Sequence, residues 1–182
     1  MRGTPAFEPP AMPGKENPLQ CKGLIFGEGH VMLGYMLTWT TYGTWLQGDK
    51  RGYVKNGRVL QQNKALQTAN MAALKTQPIR LTLRERDIVR EAVLQEAQRL
   101  QQKIYSIAVC SDHVHLVANR IDQPPGKVAG RYKKAATTAL RENGLAGPVW
   151  TKGYDKRFCF DEKALQSRIA YVRRHEGGKR PG

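Results

Sequence analysis

Four side chains of this sequence could together act on a phosphodiester: His113, His115, Tyr171 and His175. The first two lie in DHVHLV, residues 112–117. In an extended strand residues i and i+2 share a face, so both imidazoles point one way while Val114 and Leu116 bury on the other. Two imidazoles with open positions beside them suit a divalent ion that binds phosphate oxygens and neutralises charge as phosphorus is attacked. The nucleophile must come from elsewhere. In the last helical segment, at about 100° per residue, Leu165, Ile169 and Val172 form an apolar stripe, and Ala164, Arg168, Tyr171 and His175 fall on the neighbouring flank. Tyr171 and His175, four residues apart, then stack one turn from each other and join a nucleophile to a third ligand. An ordinary tyrosine has a pKa of about 10, so forming the phenolate at pH 7 costs on the order of 4 kcal/mol. A nearby ion and Arg168 would lower that cost, and attack on phosphorus would leave a phosphotyrosine. The same residues also have plain roles: half-exposed strand histidines, a tyrosine packed on a helix flank with a wet hydroxyl, and a histidine partnering a helix C-terminus.

The rest of the composition favours a polyanionic partner. The 182 residues hold 30 Lys and Arg against 15 Asp and Glu, a net charge of +15, which puts nucleic acid first and an anionic membrane surface second. From Arg120 onward there are 15 basic and 6 acidic residues, so the last third carries +9 of that charge around the expected site. Lys127, Arg131, Lys134 and Arg141 follow helical spacing on one face, opposite Val128, Tyr132, Ala135, Ala136 and Ala139, as a phosphate track requires. An ordinary solvated face is the alternative for that stripe. Trp150, Tyr154 and Phe158 interleave with Lys152, Lys156 and Arg157, which suits base stacking beside phosphates as well as core packing. No run of about 18 apolar residues exists to span a bilayer, and residues 1–17 contain no signal-like apolar stretch. A cytoplasmic location, in association with the nucleoid, is expected. Cys21, Cys110 and Cys159 are odd in number and far apart, and read as reduced thiols.

The elements that must position these groups are legible in outline. Residues 1–30, rich in proline and glycine, read as a flexible arm, and 31–182 as one domain. Tyr35–Thr41 reads as a strand, Asn56-Gly57 as the turn of a small accessory hairpin, and 61–74 as a short helix before Pro78. Thr82 and Glu85 form a capping box that opens a helix reaching Gln102. Ile104–Cys110 and His113–Asn119 form a strand hairpin about Ser111-Asp112. A helix from Pro125 to Arg141 stops at Asn143-Gly144, Lys156–Phe160 is a strand, and Asp161 caps a last helix reaching His175 and ended by Gly177-Gly178. That order predicts an α+β fold, an antiparallel sheet covered by helices.

With these residues in view, the sequence resembles the REP-associated tyrosine transposases of the single-tyrosine HUH endonuclease superfamily. DHVHLV is similar to the paired-histidine strand of that family. PVWTKGYDKRFCFDEKAL, residues 148–165, resembles its linking segment, and AYVRRHEG stands where the nucleophile helix stands. The resemblance implies a ferredoxin-like core of HUH type, Mg²⁺ or Mn²⁺ as cofactor, and Tyr171 as the catalytic residue. It also implies cleavage of single-stranded DNA beside a hairpin of a palindromic repeat through a 5′-phosphotyrosine, with a free 3′-hydroxyl left behind. His175 departs from the amide, Asn or Gln, that family members commonly carry one turn after the tyrosine. Imidazole is the softer ligand and favours Mn²⁺ over Mg²⁺.

The expected site is therefore Tyr171 as nucleophile, His113, His115 and His175 as metal ligands, and Lys127, Arg131, Lys134, Arg141, Lys152, Tyr154 and Arg168 on DNA. The chain would work as a monomer or homodimer, with Tyr171 serving its own metal or that of a second subunit. Two other readings remain open from the residues alone. One is a non-catalytic protein of ferredoxin-like fold that grips structured nucleic acid; the other is a metallohydrolase that uses activated water.

Overall fold

A computed structural model describes residues 31–50, 52–55 and 58–176. The expected N-terminal arm, the Asn56-Gly57 turn and the Gly177-Gly178 stop lie outside the described residues. In chain order the elements are β1 (Gly34–Thr40), β2 (Tyr53–Lys55), β3 (Arg58–Leu60), α1 (Lys64–Ala72), α2 (Leu83–Arg99), β4 (Ile104–Val109), β5 (His113–Asn119), α3 (Pro125–Glu142), β6 (Asp155–Cys159) and α4 (Glu162–Arg173).

Strands β4, β5, β1 and β6 lie side by side in that order, every neighbouring pair antiparallel. The two short strands β2 and β3 form a separate antiparallel ribbon. Without the ribbon and α1, the order is strand, helix, two strands, helix, strand, then α4. The fold is α+β and ferredoxin-like, as expected.

Burial divides the sheet into two faces. Central strand β1 is buried along nearly its whole length, and its alternation sends Tyr35, Leu37 and Trp39 to one core with Val114 and Leu116 of β5. That core is closed by Val89, Val93 and Ala97 of α2 and by Val128, Tyr132 and Leu140 of α3. Met36 and Val117 face the other way and are covered by Leu165, Ile169 and Val172 of α4. The molecule has three layers: α2 and α3, the sheet, and α4.

Local chemistry explains where the helices begin and end. Thr82 Oγ1 accepts from the amide of Glu85 at 3.3 Å while Glu85 Oε2 accepts from the amide of Thr82 at 2.7 Å, the reciprocal cap the sequence predicts. The far end of α2 differs from expectation. The helix stops at Arg99, the amides of Gln101 and Gln102 return to the carbonyls of Gln98 and Ala97, and Gln101 takes a left-handed φ of 52°. This closing turn swings Gln102 out of the helix and into the core. There its side-chain amide donates to the Tyr35 hydroxyl at 2.8 Å and to the Asn119 carbonyl at 2.7 Å, and its carbonyl accepts from the Tyr132 hydroxyl.

A buried polar network of this kind is costly to leave half satisfied. Gln102→Leu, which strands two tyrosine hydroxyls and a carbonyl, should lower unfolding stability by about 1–3 kcal/mol. Urea titration reads this directly, and an unchanged midpoint would show that the network contributes nothing.

Candidate active site

The histidine face of β5 is the face covered by α4. Register pairs Thr40 with His113 and Thr38 with His115, so both imidazoles rise beside threonines of β1. His115 is buried, 7% exposed, and its Nδ1 meets Thr38 Oγ1 at 2.7 Å. His113 is more open, its side chain 24% exposed, and its Nδ1 lies 2.7 Å from Asp112 Oδ1.

Helix α4 brings the remaining groups. Asp161 caps it by accepting from the amide of Ala164 at 2.7 Å, and the buried stripe of Leu165, Ile169 and Val172 fixes its rotation. Tyr171 then stands against the histidines, its ring centroid 5.4 Å from that of His115. The helix ends at Arg173, two residues short of the expected end, and His175 lies in the turn that follows. Its ring still folds back beside Tyr171, 4.6 Å between centroids, and its Nδ1 donates to the Tyr171 carbonyl at 2.8 Å. His175 is 5.3 Å from His115 and 6.5 Å from His113, while His113 and His115 are 4.6 Å apart. The structure thus gathers four residues drawn from positions 113 to 175 of the chain.

The hydrogen bonds bear on whether this cluster fits a metal. A ring whose Nδ1–H donates to a carboxylate or carbonyl keeps its lone pair on Nε2, the arrangement usual for metal-binding histidine. His175 meets that condition, and His113 meets it once its imidazolium gives up the Nε2 proton, as metal binding requires. Two imidazoles sharing one ion at a bond length of about 2.1 Å have ring centres roughly 4.5–6.5 Å apart, depending on the angle at the ion, and all three histidine pairs fall in that range. Among the described residues no three His, Cys, Asp or Glu side chains already form a closed ligand set. The imidazoles of His113, His115 and His175 fit a divalent metal in the chemistry of their donors.

Burial sets the protonation. It lowers the pKa of His115 well below the usual value, assisted by the charges of His113, His175 and Arg157. For His113 burial works against the imidazolium, but hydrogen bonds to Asp112 and Cys110 outweigh it and push the pKa up to about 9. Burial also raises Tyr171, and Arg157 and Arg174 pull it back in part. Arg168 was the expected neighbour of the phenol; instead its charge acts on the Cys159 thiol and on Asp155. The cations acting on the phenol are Arg157, which lies opposite Met36 on the α4 face of β6, and Arg174, whose guanidinium stands 6.0 Å from the Tyr171 ring centroid. Strand parity in 155–159 carried the signal for Arg157.

The basic track is placed differently from expectation. Lys127, Lys134 and Arg141 are exposed, but α3 packs on the opposite face of the sheet from the histidines. Arg131 is engaged by Glu96 of α2 at 2.6 Å and so is removed from the stripe as a free cation. Lys152 is exposed in a loop that leads to Asp155, the partner of Thr38, so it lies at the histidine end of the sheet. Lys133 holds that loop, donating to the carbonyls of Thr151 and Gly153 at 2.7 and 2.8 Å. Tyr154, Trp150 and Phe158 are partly buried against the α2–α3 core. The packing role thus accounts for the aromatic half of the expected base-stacking surface.

No protein-family model matches the chain, and no curated protein matches it. Among solved structures, a REP-associated tyrosine transposase bound to a REP hairpin aligns over 81% of this chain and 68% of its own, at 12% identity and a TM-score of 0.47. A candidate transposase from Deinococcus radiodurans aligns over 82% of this chain and 96% of its own, at 15% identity and a TM-score of 0.43. No helix among the described residues is long and apolar enough to cross a membrane.

The charge pair at the site has a pH signature. Because the folded pKa of His113 is raised from 6.5 to about 9, its contribution to stability is complete below pH 6.5 and is lost as pH climbs through 9. A difference of that size is on the order of 3 kcal/mol before solvent screening. Chelator-treated protein should therefore lose stability between pH 6 and 10, and Asp112→Asn should flatten that dependence. Parallel profiles for the two proteins would refute the pairing.

Proposed function

We propose that the protein is a metal-dependent, transposase-like nuclease and strand transferase that cleaves single-stranded DNA next to a hairpin, with Tyr171 as nucleophile. The observation that carries this reading is the convergence of Tyr171, His113, His115 and His175 from β5 and the end of α4 onto one face of the sheet. His113, His115 and His175 would hold Mg²⁺ or Mn²⁺. When bound, such an ion neutralises charge on the scissile phosphate.

The chain's own groups do the rest. Tyr171 Oη attacks phosphorus, the bond from phosphorus to the 3′-oxygen breaks, and the products are a 5′-phosphotyrosine and a free 3′-hydroxyl. The phenol must lose its proton in that step, and its raised pKa makes the phenolate harder to form than in water. Arg157 and Arg174 offset part of this burden. Attack by a 3′-hydroxyl on the phosphotyrosine reverses the chemistry and completes strand transfer. Lys127, Lys134, Arg141 and Lys152 supply phosphate contacts, and a protein working in this way would be associated with the nucleoid.

Incubation with single-stranded hairpin DNA and Mn²⁺ should yield a protein–DNA adduct that survives denaturation. Tyr171→Phe should abolish the adduct while leaving hairpin affinity within a few-fold, and His115→Ala or EDTA should reduce it by about 100-fold or more. Adducts that persist in Tyr171→Phe would overturn the assignment. A wild-type protein that binds hairpins but never forms an adduct would instead be a binding module.

Phosphate contacts are read separately through salt. Lys134→Ala and Arg141→Ala should each reduce the slope of log affinity against log salt by about 0.7 on single strands. Arg131→Ala should change it less, because Glu96 already neutralises that side chain. Equal slopes for all three would show that α3 does not touch DNA.

A further inference from the structure

Asp112 is a charged residue in a two-residue hairpin turn, where a carboxylate would ordinarily be solvated. Here it is 5% exposed. Burying a carboxylate is unfavourable unless partners compensate. One oxygen lies 2.7 Å from His113 Nδ1, and the other is 4.0 Å from the guanidinium of Arg80.

Its backbone is held as firmly as its side chain. The Asp112 carbonyl accepts from the Thr41 amide at 2.9 Å, the Thr41 hydroxyl at 3.1 Å and the Thr44 hydroxyl at 3.2 Å. Beside it the Ser111 carbonyl accepts from the Leu81 amide at 2.8 Å, and the Cys110 amide donates to the His113 carbonyl at 2.8 Å. Thr41, Thr44, Arg80 and Leu81 are the two ends of the segment inserted between β1 and α2. Both ends of that insertion therefore close on this one turn.

We propose that Asp112 is a positioning residue: it holds the proton of His113 on Nδ1, fixes the ring, and presents Nε2 to the divalent ion, with the ends of the β1–α2 insertion clamping the turn that carries it. The proposal rests on the metal reading given above. A carboxylate behind a metal-binding imidazole orients the ring and strengthens it as a donor, and removing such a partner typically weakens metal affinity 10–100-fold. The insertion then acts on the site through Asp112 without lining it.

The test uses full-length protein and Mn²⁺ alone, with free Mn²⁺ measured by electron paramagnetic resonance. Asp112→Ala should weaken binding by about 10–100-fold, and Asp112→Asn by less, since its amide oxygen still accepts from Nδ1 but carries no charge. In the Zn²⁺-loaded protein, long-range ¹H–¹⁵N spectra should show the Nδ1 proton of His113 in wild type and Asp112→Asn and its loss to solvent exchange in Asp112→Ala. A residue that merely stiffens the turn would leave that proton in place. Should Asp112→Ala fail to fold, the graded loss in Asp112→Asn decides. Wild-type Mn²⁺ affinity in the Asp112 variants, with binding abolished in His113→Ala, overturns the positioning role and leaves the metal site standing. Unaltered affinity in His113→Ala as well overturns both.

Discussion

The site depends on how α4 packs across the second face of the sheet. A twelve-residue helix is marginal alone in water, so its existence and its rotation both rest on tertiary contacts. Leu165, Ile169 and Val172 are buried against Met36, Ala108, Val117 and Cys159, each burial contributing about 1.5–3 kcal/mol. With that stripe turned to the sheet, Tyr171 has only one place to go. It stands over the one strand of that face that carries imidazoles. The distance between the Tyr171 phenol and the imidazoles of β5 is therefore a consequence of hydrophobic packing.

The same burial makes the site electrostatically demanding. Excluding water raises the cost of every charge, which depresses His115 and elevates Tyr171. It also strengthens those charge interactions that are paired. Asp112 overcomes burial at His113, and Arg157 partly does so at Tyr171. Neighbouring groups are thus driven in opposite directions within one small volume, as is common where protons must be moved.

Charge and chemistry are divided between the layers. The exposed cations of α3 lie across the sheet from Tyr171, and Arg131 is tied to α2 through Glu96. Lys152, in a loop fastened by Lys133, is the exposed cation of the expected set placed at the histidine end of the sheet. A nucleic-acid strand that used both surfaces would have to round an edge of the sheet. The net charge of +15 describes the whole surface and says little about its routing.

Periodicity and capping are properties of neighbouring residues, and for that reason the sequence by itself determined the strands, the caps at Thr82 and Asp161, the α+β class, and the common face of His113 and His115. It also placed Tyr171 beside the apolar stripe of α4, since one helix fixes its own angles. What it left open required knowing which elements meet. Strand order decided that Thr38 backs His115 and that Arg157, rather than Arg168, faces the phenol. The layer each helix covers decided that the α3 stripe lies away from the histidines, and the closing turn after Arg99 decided that Gln102 enters the core. Asp112 reads in sequence as an ordinary turn residue. Only the tertiary structure, by closing a distant insertion over that turn, buries its carboxylate and directs it at His113.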